Sequence, residues 1–525
     1  MKKFFNTAGP CRAHEHYMID PLTRIGDIRS LIDESQYFVV HAPRQTGKTT
    51  VLEVLASQLT LEGTYTALRL SCEQGQPFGN DIAKVEAVIV HSLLKACNNH
   101  LPAELRCPEP PVAPVGSQIN AALTNWAQKS PRPLVLFFDE IDAIYDESLI
   151  SVLRQIRDGF TDRPKNFPHS IALCGLRDVR DYKVLSGGSP RLGTASPFNI
   201  KTESLRLANF TEEEVRTLYH QHTAATGQQF EDEAILKAWE LTEGQPWLVN
   251  ALARQVVRKM GIPSDQTITP LDIERAAQNL IIERQTHLDS LVDKLQETRV
   301  RNVIEPVLAG LMTEGDSGYE NDVLYVRDLG LIAQKSPVRI ANPLYREVIV
   351  RVLSHRAADS IDLGKRSYVT SSGLLDVEVI LKEFMTWWSE NAESMLSSSY
   401  YNEASAQLVF MAWLQRVVNG GGIIDREYGV GRGRIDLLIR WPHPSAATSR
   451  EWQREAFELK VWREGRPDPI TQGLLQIEMY LDGLNLTHGT LVIFDRRKDA
   501  PPAPERTRLE EAQTPKGYRV QVLRG

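Results

Sequence analysis

Residues 37–59 read YFVVHAPRQTGKTTVLEVLASQL. The apolar run from Tyr37 to Val40 is a short strand signal, and the stretch after Lys48, rich in Leu, Val and Ala, reads as a helix. Between them, Ala42-Pro43-Arg44-Gln45-Thr46-Gly47-Lys48-Thr49 has the spacing G-x-x-x-x-G-K-[ST], with Ala42 in place of the first glycine. In a turn between strand and helix, backbone N–H groups curl around a phosphate that sits at the helix N-terminus. Gly47 permits the curl, Lys48 reaches the β- and γ-phosphates, and Thr49, followed by Thr50, is placed to ligate Mg2+. Only the tightest part of such a loop demands glycine, so alanine at 42 fits provided its φ is negative. The expected ligand is ATP with Mg2+.

Working outward, short apolar runs alternate with helical stretches as far as residue 207: YFVV, TALRL, LVLFF, IALC and FNIKTESLRL. That alternation predicts a mostly parallel sheet with helices on both faces. The run LVLFFDEIDAI ends a buried strand in Asp139 and Glu140. At a strand end, Asp139 is suited to order the Mg2+ shell and Glu140 to polarise the attacking water. IALCGLRDVRD ends another strand, and ligands of open α/β sheets sit at such ends. Arg177 is therefore a candidate contact for the γ-phosphate. Residues 107–116, CPEPPVAPVG, predict a surface loop. From Thr211 a capping box with Glu214 opens a helical region that reads as a lid. There EGQPWLVN puts Pro246 at a helix start that could close over the nucleotide. Residues 266–356 carry more helices and a candidate strand pair, VLYVRDLGLIA with PVRIAN, which would suit a small winged-helix-like unit.

Composition bounds the rest. The chain has 525 residues, 42% apolar and 24% charged, which suits three to four soluble domains. Its net charge of −7 excludes a bulk polycation, so any nucleic-acid contact must be a local basic surface. Five scattered cysteines form no C-x-x-C pair and suggest a reducing compartment. No signal peptide and no membrane-length apolar run is legible, so the expectation is a cytoplasmic protein without a membrane partner.

Ala42–Thr50, Asp139-Glu140, Gly175–Arg177 and Gly244-Gln245-Pro246 together resemble the AAA-like and STAND-type signalling ATPases, over about residues 15–355. The resemblance implies an ATPase core over 15–208, a helical lid over 209–265 and a winged-helix-like unit over 266–356. It also implies that the nucleotide state switches conformation or assembly, with an ATP-dependent homo-oligomer as one form. A polar stretch at 357–374 reads as a linker.

The last part of the chain, 375–525, predicts a further α/β unit. A helix, YNEASAQLVFMAWLQRVV, stops at three glycines, and the strands IIDREYGV, RIDLLIRW and REAFELKVW follow. With period two, Phe457, Leu459 and Val461 point one way while Glu458 and Lys460 point the other. Asp436 likewise faces away from Ile435 and Leu437. Carboxylates and a lysine gathered on a buried patch need a reason, because uncompensated buried charge is costly. Metal-assisted phosphodiester hydrolysis supplies one. Asp436, Glu458 and the Leu459 carbonyl would be hard oxygen ligands for Mg2+ or Mn2+, and Lys460 would position the water or steady the developing charge. In the following helix, ITQGLLQIEMYLDGL, Gln476 shares a face with Gln472 and Tyr480 and could orient water or phosphate. Arg426, Arg432, Arg434 and Arg440 offer phosphate contacts nearby.

Asp436 with Glu458-Leu459-Lys460 resembles the D…E-x-K of the PD-(D/E)XK nuclease superfamily, with Ile435 where that family has proline. Gln476 and Tyr480 match the Q-x-x-x-Y helix of some members. The family's helical acidic residue maps to Glu403, with Glu427 as the competing candidate. The resemblance implies a nuclease acting on nucleic acid, DNA before RNA. The full expectation is an α/β multidomain chain: a P-loop NTPase parallel sheet with lid and winged-helix-like unit, then a PD-(D/E)XK nuclease-like domain. Such a protein would suit defence against foreign DNA or control of mobile elements, by analogy of fold alone. Two other readings stand beside it. One is an ATP-driven signalling switch or scaffold whose nuclease-like domain binds without cutting. The other, ranked last for want of a basic recognition helix, is a DNA-binding regulator.

Overall fold

The computed structural model describes residues 3–176, 200–283, 286–308, 320–358, 368–397, 405–418, 422–430, 433–442, 452–497 and 499–525. The chain divides into two compact units. The first comprises Met1–Asp289, Tyr319–Lys335 and Ala341–Leu344, and the second Ser290–Gly318, Ser336–Ile340 and Tyr345–Gly525.

In the first unit, β1 (Tyr37–His41), β2 (Thr66–Ser71), β3 (Leu134–Asp139), β4 (Ser170–Gly175) and β5 (Lys201–Arg206) form one sheet in the order β2-β3-β4-β1-β5. Every neighbouring pair is parallel. Parallel strands need both faces covered, and these are covered. Tyr37, Val39, Leu136 and Phe138 enter one core, while Phe38, Val40, Val135 and Phe137 enter the other. The helices of this part are α1 (Ile28–Asp33), α2 (Lys48–Leu61), α3 (Ile82–His100), α4 (Gln118–Lys129) and α5 (Asp146–Asp158). The register pairs His41 with Gly175 and Ser71 with Asp139, so the carboxyl ends of β1 to β4 gather on one edge.

In the stretch expected to form a lid, the helices are α6 (Glu212–Thr226), α7 (Asp232–Thr242) and α8 (Pro246–Arg254), the last continuing into a wide turn over Gln255–Lys259. The capping box forms: Glu214 N donates to Thr211 Oγ1 at 3.2 Å, and Thr211 N donates to Glu214 Oε2 at 2.8 Å. Gly244 has φ +70°, and a Cβ there would lie 1.8 Å from the Phe210 carbonyl oxygen, so only glycine lets these two loops meet. Next come α9 (Pro270–Glu283), α10 (Thr286–Lys294), α11 (Thr298–Leu308), α12 (Glu320–Asp328) and α13 (Pro343–Ala358). The expected strand pair does not form as such. Tyr325 and Val326 are adjacent and both buried while Leu324 is exposed, a helical pattern rather than an alternating one. Short of a strand pair, Ala341 N donates to the Leu331 carbonyl at 2.9 Å.

The second unit is built on a mixed sheet of β6 (Ile423–Val430), β7 (Gly433–Pro442), β8 (Trp452–Trp462), β9 (His488–Asp495), β10 (Arg508–Gln513) and β11 (Arg519–Arg524). Its order is β10-β11-β9-β8-β7-β6, with β8/β9 and β9/β11 parallel and the other pairs antiparallel. On one face Leu437, Ile439, Phe457 and Leu459 share a core with Phe384 and Trp388 of α14 (Val377–Ser397) and with Phe410 and Trp413 of α15 (Ser405–Val418). On the other, Leu438, Ala456 and Leu491 meet Ile477 and Leu481 of α16 (Ile470–Leu484). The period-two reading of β8 is therefore what folds the layer. No helix among the described residues is long and apolar enough to cross a membrane.

Candidate functional site

Two acid-bearing sites stand on the two sheets. In the first, β1 leaves the sheet at His41 and turns through Gln45 at φ +57° and Gly47 at φ +93° into α2. Ala42 is buried and lies outside the left-handed region, which is why it replaces glycine without strain. Lys48 Nζ donates to the carbonyls of Ala42 at 2.6 Å and Pro43 at 2.9 Å, and burial lowers its pKa. Thr49 Oγ1 donates to Asp139 Oδ2 at 2.8 Å, joining the loop to the end of β3. Glu140 sits at φ +58°, its N–H on Asp139 Oδ1 at 3.0 Å and its Oε2 taking the Ser71 hydroxyl at 2.6 Å. Burial raises the Glu140 carboxyl pKa, and the Ser71 bond opposes the rise.

These groups border a cavity of about 870 Å3, room enough for a nucleoside triphosphate. Arg44, Gln45, Thr46, Gly47, Lys48, Thr49 and Thr50 line it, as do Asp139, Glu140 and Pro246. Ala42 and Pro43 stand behind the lining and hold Lys48. Arg177 lies outside the described residues. Further contributors lie outside the motifs. Arg24, buried and drawn down to about 10 by that burial, donates to the Thr46 carbonyl at 2.8 Å and so pins the loop from outside. Arg69 and Ser71 reach the acids from β2, and Trp247 enters from the start of α8. An amino-terminal segment, residues 6–11, closes another wall, with Cys11 N on Thr50 Oγ1 at 3.0 Å. Of these, Trp247 adjoins the Gly244-Gln245-Pro246 motif in sequence. Thr49 and Asp139 are a donor set that fits Mg2+: a neutral hydroxyl and a carboxylate meeting at one oxygen.

The second site is on the α16 side of the mixed sheet. Leu437 pairs with Phe457, so Asp436 lies opposite Glu458 across β7 and β8. Asp436 Oδ2 accepts the Leu459 N–H at 2.7 Å, and Lys460 Nζ donates to Glu458 Oε1 at 2.5 Å. Glu458 is 1% exposed, and its Oε2 has no hydrogen-bond partner among the described residues. Burial raises both carboxyl pKa values. Asp436 pushes Glu458 further, to about 7, against the pull of Lys460. For Asp436 the Leu459 N–H, Lys460 and Arg346 oppose the rise. An acid pair with an unsatisfied buried oxygen fits a hard cation. Among the described residues no group of three His, Cys, Asp or Glu side chains stands together as a metal cage, so the pair alone is what the structure offers.

Gln476 lies half-buried on α16, and its Oε1 also lacks a partner among the described residues. Tyr480 is buried one turn on, while Gln472 is exposed. Glu403 and Arg432 lie outside the described residues. Arg426 pairs with Leu437 and Tyr428 with Ile435, which sets position 427 opposite Asp436. Arg440 is not a spare phosphate donor. Its Nε and Nη2 grip Asp425 at 2.6 and 3.0 Å, diagonally across β6 and β7, where Arg440 pairs with Ile423 and Asp425 with Leu438.

Comparison with known proteins bears on the first site. Residues 38–178 match the model of the "ATPase family associated with various cellular activities (AAA)", and they form an AAA-type ATPase domain, which supports ATP hydrolysis. Among solved structures, the Walker-type ATPase of Pyrococcus abyssi is 12% identical, over 66% of this chain and 99% of its own, with a TM-score of 0.45. A RuvB of Thermotoga maritima is 16% identical, over 63% and 98%, with a TM-score of 0.35. The Aeropyrum pernix ORC2 protein is 14% identical, over 66% and 94%, with a TM-score of 0.34. No curated protein matches the chain.

Proposed function

We propose that this chain is an ATP-regulated, metal-dependent nuclease of the PD-(D/E)XK kind. The ATPase domain governs cleavage of nucleic acid, DNA first, at Asp436, Glu458 and Lys460. One observation carries the reading: Asp436 faces Glu458 on a buried sheet face, and Glu458 keeps an oxygen that no described donor satisfies. A purely structural pair in that position would be costly, since an unsatisfied buried acid is among the more destabilising features a core can hold.

In the ATPase domain, Lys48 and the loop amides hold the phosphates, Thr49 and Asp139 hold Mg2+, and Glu140 takes the proton of the attacking water. Its raised pKa suits that exchange. In the second unit, Asp436 and Glu458 would hold Mg2+ or Mn2+. The metal, when bound, supplies an activated water and charge stabilisation at the phosphorus. The chain's own part is to fix the two carboxylates by the β7/β8 register, to hold Asp436 through the Leu459 N–H, and to aim Lys460 along the same face. Of the two candidates for a third acid, position 427 is favoured over Glu403 because it is the next backbone neighbour of Asp436 across the sheet.

The test is cleavage of plasmid and linear DNA by purified protein with Mg2+ or Mn2+, with and without ATP, beside Lys48→Ala and Asp436→Ala. Cleavage lost in Asp436→Ala and altered in Lys48→Ala is the expected result. ATP hydrolysis with no cleavage under any metal would favour the switch reading, in which the second unit binds without cutting.

A further inference from the structure

We infer that Arg69 sets the metal affinity of the ATPase site: it is a resident cation on Asp139, so the site binds a divalent ion weakly unless the negative charge of the nucleotide phosphates accompanies it. The inference rests on the assignment of Thr49 and Asp139 to Mg2+. Arg69 Nε and Nη2 both reach Asp139 Oδ2 at 2.9 Å, and Thr49 Oγ1 reaches the same oxygen at 2.8 Å. The other oxygen, Oδ1, takes the Glu140 N–H. Asp139 is 0% exposed, so its charge must be matched within the protein, and Arg69 matches it.

A guanidinium and a divalent ion on one carboxylate oxygen repel each other, strongly so where water is scarce. Arg69 also has a second anchor. Its Nη1 lies 3.4 Å from Glu53 Oε1, on α2 one turn beyond Thr49, and the Glu53 side chain is 37% exposed. β2 thus presents a cation between two acids, one the metal-side carboxylate and one on the rim. Shifting its weight toward Glu53 frees Asp139 for the ion, and the triphosphate supplies the charge that makes the shift favourable. Arg69 is in this sense a positioning residue. Arginine suits the role, since its planar fork can engage both carboxylates at once.

The sign of the effect separates this role from simple support. If Arg69 only held Asp139 in place, its removal would weaken metal binding. If it competes with the metal, removal tightens it. Mn2+ binding is read by electron paramagnetic resonance on the full chain carrying Asp436→Asn, so that the second acid pair does not contribute. Arg69→Met is expected to tighten nucleotide-free Mn2+ binding by about fivefold or more, and to shrink the further tightening that ADP brings. Arg69→Lys keeps the charge and is expected to stay near the parent. Glu53→Gln removes the second anchor and is expected to weaken Mn2+ binding. A folded Arg69→Met with unchanged or weaker Mn2+ affinity overturns the inference. Should that variant fail to fold, an unchanged Mn2+ affinity in Glu53→Gln overturns it instead. Thr49→Ala reports on the underlying assignment: Mn2+ and nucleotide binding that survive it intact would break the metal reading itself.

Discussion

The two acid pairs differ in how their charge is met. Asp139 is fully buried, and three donors besides its own neighbour's N–H close around it: Thr49, and the Nε and Nη2 of Arg69. Glu458 is buried almost as deeply, yet it has Lys460 on one oxygen and nothing described on the other, with Asp436 pressing on it. A carboxylate supplied with donors can stay ionised at little cost. One short of donors keeps its proton, or waits for a cation from outside the chain. On the proposed reading, the first pair would meet its metal on a nucleotide, and at the second a metal would complete the charge balance.

The sharpest way to break that contrast is to remove one acid from each pair. Asp436→Asn is expected to lower metal-dependent cleavage by about 1,000-fold or more while ATP hydrolysis stays within about twofold. Glu140→Gln is expected to lower ATP turnover by roughly 100- to 1,000-fold and to leave ATP binding, read by a fluorescent analogue, nearly unchanged. If either variant abolished both activities by unfolding, circular dichroism would show it. If both activities fell in folded proteins, the pairs would not be separate sites.

Proton linkage sharpens the contrast next. The Glu458 carboxyl is raised from an ordinary 4.5 to about 7, so the folded unit keeps a proton that the unfolded chain has released. Between those values the folded state binds more protons, and metal-free stability falls as pH rises, then levels off above about 7. The loss is expected to be on the order of 2–3 kcal/mol for a group so buried. It should appear as a falling melting temperature of the second unit in chelator, should be reversed by Mn2+ at pH 8, and should shrink in Glu458→Gln, where the raised Asp436 carboxyl alone remains. Metal affinity should climb over the same window, because the ion displaces the proton. A melting temperature that rose with pH in chelator would sink the account.

What the sequence made legible follows from which signals are local. The strand–loop–helix from Tyr37 to Leu59, the β3 acids and the alternation in β8 each combine a short apolar run with chemistry at its end, and each lies where it was expected. The capping box at Thr211 and Glu214 is local too, and it forms. Arg24, Arg69 and Ser71 were not legible, because each acts on a residue far along the chain, Arg24 on the loop and the other two from β2 onto the end of β3, through contacts that no spacing encodes. The strand pair near 323–342 failed for the opposite reason: β-branched residues gave a strand propensity that tertiary packing overrode in favour of α12. Arg440 looked like a phosphate donor because sequence shows its charge and hides Asp425 beside it.

The smallest expected effect is also the finest test of why the second site is left unsatisfied. Gln476 carries a buried Oε1 without a described partner, on the helix that covers the face of Asp436 and Glu458. Replacing it with Leu removes the unsatisfied atom and adds apolar contact. If Gln476 serves only the core, Gln476→Leu should stabilise the unit by up to about 1 kcal/mol and leave cleavage alone. If its amide positions water or phosphate, the same change should cost about three- to tenfold in cleavage rate with no loss of stability. The second outcome is the expected one. A unit that holds a buried amide oxygen and a buried carboxylate oxygen without described partners has forgone stability twice, and on the proposed reading a metal and its substrate would give both atoms partners. Gain of stability with unchanged cleavage would remove Gln476 from the site and leave Asp436, Glu458 and Lys460 to stand by themselves.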